Sequence, residues 1–106
     1  MTKLNCYSLS FSGANNNELL KEIILFLLGL KIDLREIHLC TEYSIMFFTT
    51  KKFDLLCGLI EDRFFDSAMI QFCQIKTSTK KKFLIKCSTM NKEVIDRFNE
   101  LKNECL

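Results

Sequence analysis

The chain predicts an α+β domain: an antiparallel sheet with helices packed on one face. Three observations carry that expectation. Short segments of period-two hydrophobicity alternate with longer segments of helical period. One helical stretch, Leu19-Leu20-Lys21-Glu22-Ile23-Ile24-Leu25-Phe26-Leu27-Leu28, is apolar over most of its circumference, as a helix covered on more than one side must be. Apolar residues make up 48% of the 106 positions and charged residues 26%, the balance of a chain that buries its own core.

The first strand runs from Leu4 to Phe11, with Tyr7, Leu9 and Phe11 on one face and Cys6, Ser8 and Ser10 on the other. Ser12-Gly13 ends it. Asn15 then offers an N-cap and Glu18, three residues on, the partner of a capping box. The helix that follows carries apolar residues at 20, 23, 24, 27 and 28, and Gly29 suits a left-handed C-cap. Its breadth of apolar surface asks for a second layer or a partner chain. Leu30 to Thr41 reads as a second strand region, with Ile37 and Leu39 in phase. A short connection, Thr41-Glu42-Tyr43, leads to a third strand, Ser44 to Thr49, with Ile45 and Phe47 on one face and Met46 and Phe48 on the other. Apolar residues on both faces mark a central or covered strand.

Lys51 to Phe64 repeats Phe53, Leu56, Cys57, Ile60 and Phe64 at helical spacing. Ser67 to Lys76 alternates again, with Ala68, Ile70 and Phe72 in phase. A polar loop over Thr77 to Lys82 precedes a short strand of Phe83, Ile85 and Cys87. Asn91 caps a last helix with a narrow stripe of Val94, Ile95, Phe98 and Leu101. The first six elements run β-α-β-β-α-β, the split βαβ or ferredoxin-like order, and a C-terminal strand and helix follow. The whole, 1–106, reads as one domain, with a core over 4–76 and a βα extension over 83–104. The first helix, Asn17 to Ile23, is echoed by Lys92 to Phe98, each after a strand and a polar cap.

Composition narrows the function. Fifteen basic and thirteen acidic residues give a net charge of +2, too balanced to predict nucleic-acid or membrane binding. Six cysteines form no C-x-x-C pair, and Met1 to Ser8 lacks the apolar run of a signal peptide. The cysteines are therefore read as reduced thiols of a cytoplasmic protein. The apolar run from Ile23 to Leu30 falls far short of the ~20 residues of a membrane span.

No cofactor motif and no catalytic set converges, so the reading is not an enzyme. His38 with Cys40 lacks an orienting group and reads as a surface histidine. Asp33, Glu36 and Glu42 lack a paired metal-ligand pattern. Lys80-Lys81-Lys82 reads as a solvated hairpin tip rather than a phosphate contact. The best candidate is the loop Ser12, Gly13, Ala14, Asn15, Asn16 and Asn17. Main-chain N–H groups at a helix start, beside amide side chains, can hold a carboxylate or phosphate, and the same residues also serve as turn and cap.

The block Leu30-Lys31-Ile32, Thr41-Glu42-Tyr43-Ser44-Ile45-Met46-Phe47-Phe48 and Phe53 to Phe64 resembles the ACT domains at the C-terminus of aspartate kinases. Those show a G-I-N-I entry, an S-E-x-S-I-S-F strand and an amphipathic helix ending L-H-x-x-F, here Leu59-Ile60-Glu61-Asp62-Arg63-Phe64. Lys31 stands where that family has asparagine, and Ser12 to Asn16 fall at its ligand loop, without its proline-glycine. The resemblance spans about residues 4 to 75. It implies a ferredoxin-like fold, pairing into a homodimer or with a partner protein, and a small amino-acid-like effector bound at the subunit interface. That effector would touch the Ser12 to Asn17 loop, Lys31, Ile32, Glu42 and Tyr43. The expectation is a regulatory, effector-binding module; a ligand-free interaction domain of the same fold is the alternative, and a nucleic-acid-binding domain comes third.

Overall fold

A computed structural model describes residues 4–11, 16–41, 43–64, 70–75 and 91–106. Four strands, β1 (Asn5–Phe11), β2 (Ile37–Thr41), β3 (Ser44–Thr49) and β4 (Ile70–Ile75), form one antiparallel sheet in the order β2-β3-β1-β4. Three helices are described with them: α1 (Asn16–Gly29), α2 (Phe53–Phe64) and α3 (Lys92–Glu104). The protein is therefore an α+β domain with an open antiparallel sheet.

Register explains the two faces. Tyr7 pairs with Phe47 and Phe47 with Ile37; Leu9 pairs with Ile45 and with Phe72, and Ile45 with Leu39. Paired residues project to the same side, so these side chains make one apolar face. Buried residues of α1 (Leu20, Ile23, Ile24, Leu27), α2 (Leu56, Ile60, Phe64) and α3 (Phe98, Leu101) join them in a single core. Each fully buried side chain of this kind contributes about 1.5–3 kcal/mol. On the other face Cys6, Met46 and Phe48 form a smaller cluster with Ile75. Strand β3 is buried along its whole length, as its two apolar faces predict.

Aromatic packing ties the helices to the sheet. The ring of Tyr7 lies 5.7 Å from Phe47 and 5.2 Å from Phe72, and Phe53 of α2 stacks on Phe72 at 5.2 Å. Phe26 of α1 meets Phe64 of α2 edge-on at 5.3 Å.

The broad apolar surface of α1 finds its cover inside the chain. The sheet takes Ile23, Ile24 and Leu27, α2 reaches Phe26, and α3 packs across the N-terminal half of the helix. Lys21 of α1 pairs with Glu104 of α3 at 3.3 Å, and Leu25 remains exposed. The second layer that the sequence asks for is thus supplied by the sheet and two helices together.

Two sequence expectations change here. Gly29 does not take the left-handed position; Lys31 does, with φ of 67°. Lys31 N–H donates to the Leu28 carbonyl at 3.0 Å and Ile32 N–H to the Leu27 carbonyl at 3.1 Å, the paired bonds of a Schellman closure. The buried Ile32 packs in the same core as Leu27. The second strand also starts later than its alternation suggests. After the closure, Asp33 caps a 3-10 turn, Leu34–Glu36, by accepting from Arg35 N–H, so β2 covers only Ile37–Thr41.

The Asn91 cap is as expected: its side chain accepts from Glu93 N–H at 2.8 Å. The Asn15 cap, the Lys80-Lys81-Lys82 tip and the Phe83–Cys87 strand lie outside the described residues. Among the described residues no helix is long and apolar enough to cross a membrane.

Candidate functional site

The first turns of α1 and α3 open on one cleft of about 240 Å³. Its inner surface is apolar, from Leu20 of α1, Leu39 of β2 and Val94, Phe98 and Leu101 of α3. Leu20, Leu39, Phe98 and Leu101 are the outward limit of the main core, so cleft and core share side chains. The rim is polar: Asn17, Tyr43, Asn91, Glu93 and Arg97.

Local structure sets this rim. Phe11 N–H donates to the Tyr43 carbonyl at 2.7 Å, which ties the end of β1 to the β2–β3 hairpin. Tyr43 N–H in turn donates to the Thr41 hydroxyl at 3.1 Å, and Thr41 and Ser44 hydroxyls meet at 2.8 Å. On α3, the Asn91 cap starts the helix so that Glu93 and Arg97 stand one turn apart, at i and i+4, on the side that borders the cleft. Both helix starts turn the positive end of the helix dipole toward the cleft.

The expected effector residues divide. Asn17 and Tyr43 line the cleft together. Lys31 and Ile32 lie beyond the far end of α1, roughly 20 Å from Asn17 at 1.5 Å per residue. Ile32 is buried in the helix closure and offers no surface there. Ser12, Gly13, Ala14, Asn15 and Glu42 lie outside the described residues, and Asn16 begins α1 with its side chain likewise outside them. The α3 residues were not among the candidates. Two signals pointed to them: the echo between the starts of the two helices, and the Glu-to-Arg spacing that follows the Asn91 cap.

The other candidates settle into structural roles. The His38 ring packs edge-on to Phe48 at 5.9 Å and is half-buried rather than on the surface. The β2–β3 register shifts between Leu39 and Thr41, so Thr41, not Cys40, pairs with Ser44. Asp33 is engaged by Arg35 at 2.8 Å. Among the described residues no three His, Cys, Asp or Glu side chains come together as a metal ion would need. No disulfide joins two of the described cysteines. Burial pushes the Cys57 and Cys105 thiols up, away from the thiolate that a nucleophile requires.

The cleft can therefore hold a small amphiphile. Among the described residues it offers an apolar floor, one carboxylate, one guanidinium, two amides and a phenol, with no nucleophile and base in contact. Comparison with protein-family models, with curated proteins and with solved structures finds no match.

Proposed function

We propose that the chain is an ACT-like regulatory module whose cleft binds a small amino-acid-like effector. One observation carries the reading: Glu93 and Arg97 stand one helical turn apart beside an apolar floor. That is the complement of an α-amino acid. Glu93 would take the ammonium, Arg97 the carboxylate through its planar fork, and the leucines and Phe98 the side chain. The two helix starts add favourable potential for the carboxylate. A volume of about 240 Å³ lies below the ~300–1,000 Å³ of sites for drug-sized ligands, which favours a ligand of amino-acid size.

The strand order β2-β3-β1-β4, with the helices on the Tyr7–Phe47 face, supports the finer ferredoxin-like assignment. In this reading the effector sits between α1 and α3 of one chain, and no subunit interface is needed to complete the site. Pairing of two copies belongs to the proposal separately. Leu25 and Leu55, 47% and 53% exposed, are apolar surface available to it, and a monomer in light scattering would remove that part.

Titration calorimetry of the full chain with a panel of L-amino acids tests the effector. Saturable heat is expected, strongest for apolar side chains. Arg97→Gln should weaken it by about tenfold or more, the equivalent of ~1.4 kcal/mol. A folded chain that gives no heat with any of them refutes the reading.

A further inference from the structure

The cleft has two walls with different attachments. One is made by α1, β2 and the hairpin, all bound into the sheet and main core. Among the described residues the other is α3 with its Asn91 cap. A ligand between them touches both.

α3 buries the fewest side chains of the three described helices. It buries two side chains, Phe98 and Leu101, where α1 buries four and α2 three. Seven of its thirteen residues are charged. Two polar ties supplement the apolar anchor. Lys102 Nζ donates to the Ile37 carbonyl at 3.1 Å, and Lys21 pairs with Glu104 at 3.3 Å with both side chains about half exposed. An exposed pair of that kind adds little. A lone helix of this length is marginal in water, so α3 keeps its helical form mainly while docked.

The sheet depends on α3 much less. β1 is paired on both sides, β3 is buried throughout, and α1 and α2 share the rest of the core. We propose that α3 is a clasp. It undocks from α1 and the sheet as one cooperative unit while the sheet, α1 and α2 stay folded, and an effector in the cleft raises its docked population. The undocking stands on packing alone; the coupling to an effector rests on the reading of the cleft given above. A ligand that needs both walls binds only the docked form. Its presence multiplies the docked-to-undocked ratio by one plus the ratio of ligand concentration to Kd. Undocking uncovers Leu20 and Leu39, so the effector would also set how much apolar surface the chain presents.

Hydrogen exchange of the full chain, read amide by amide by NMR, tests both halves. Without ligand, amides from Phe98 to Lys102 should exchange at least about tenfold faster than the paired amides of β1 and β3. Phe98→Ala should remove protection from α3 while the strands keep theirs. Lys102→Met, which breaks one polar tie and opens no cavity, should speed α3 exchange selectively. Equal protection of α3 and the strands, or joint loss in both variants, overturns the clasp.

L-leucine is the probe for the coupling. Titrated to saturation, it should slow α3 exchange in proportion to its occupancy, beyond any change in β1 and β3. Calorimetric binding with α3 exchange unchanged overturns the coupling and leaves the cleft reading intact. Absence of binding by L-leucine overturns the coupling, and absence of binding by the whole panel removes the effector reading too. The ligand-free exchange decides the clasp in either case.

Discussion

The Ile32 amide donates to the Leu27 carbonyl across 3.1 Å and closes α1 around Lys31. The closure holds Lys31 at φ of 67°, a conformation that costs an L-residue about 1–2 kcal/mol and glycine almost nothing. Lys31→Gly should therefore stabilise the fold. The gain is reduced by the greater freedom of glycine in the unfolded chain, leaving about 0.5–1 kcal/mol. Urea unfolding measures it as a higher midpoint at unchanged slope. Lys31→Val should move the midpoint the other way, since a β-branched side chain is poorly suited to that conformation. A Lys31→Gly chain no more stable than the parent would mean that the lysine side chain supports the turn in some further way.

The same turn shows where sequence reasoning succeeds and where it stops. β3 is legible because period two is local: Ile45 and Phe47 take one face, Met46 and Phe48 the other, and the register bears this out. The Asn91 cap is legible for a similar reason, since its hydrogen bond spans two residues. The start of β2 is not. Leu30-Lys31-Ile32 alternates like a strand, yet main-chain bonds back into α1 and the Asp33 cap shape this stretch as a helix exit and a 3-10 turn. Alternation over three residues does not separate those outcomes. The cleft is only half legible. Asn17 is legible as a polar residue at a helix start and Tyr43 enters only through the family resemblance, but Arg97 reaches the same cleft through packing between segments distant in the chain, which no local period encodes.

Asp33 and Arg35 give a second measurable consequence. The Arg35 guanidinium lies 2.8 Å from Oδ2, and Arg35 N–H donates to Oδ1 at 2.9 Å. The side-chain bond from Arg35 is the main cause, with the main-chain bond second, and together they hold the Asp33 carboxyl at about 2 instead of 3.8. A lowered carboxyl value favours the folded state above pH 3.8, and that contribution is lost as pH falls through about 2. An NMR titration of the Asp33 carboxyl carbon should give a midpoint near the lower value. Arg35→Gln should bring it most of the way back, leaving only the effect of the main-chain N–H. Both residues face solvent, so added salt should also raise the midpoint. An Asp33 midpoint that ignores Arg35→Gln would assign the shift to the turn backbone instead.

Tyr7 gives a consequence at alkaline pH. It is 0% exposed, wedged among Phe47, Phe53 and Phe72, and its hydroxyl donates to the Lys51 carbonyl at 2.6 Å. Burial pushes the phenol above its ordinary 10.0, against a smaller lowering from Asn5. The folded state therefore favours the neutral phenol. Its contribution is complete below pH 10 and is lost as pH rises through the higher folded value. Tyr7→Phe keeps the ring packing and removes the hydroxyl. At neutral pH it should lower stability by about 0.5–1.5 kcal/mol, the worth of the lost bond to Lys51. Above pH 10 the two chains should converge, because only the parent has this phenol to ionise. Urea unfolding of both chains at neutral pH and above pH 10 measures the difference. A gap that stays constant through the alkaline range would assign the loss of stability there to other groups and leave Tyr7 with a packing role alone.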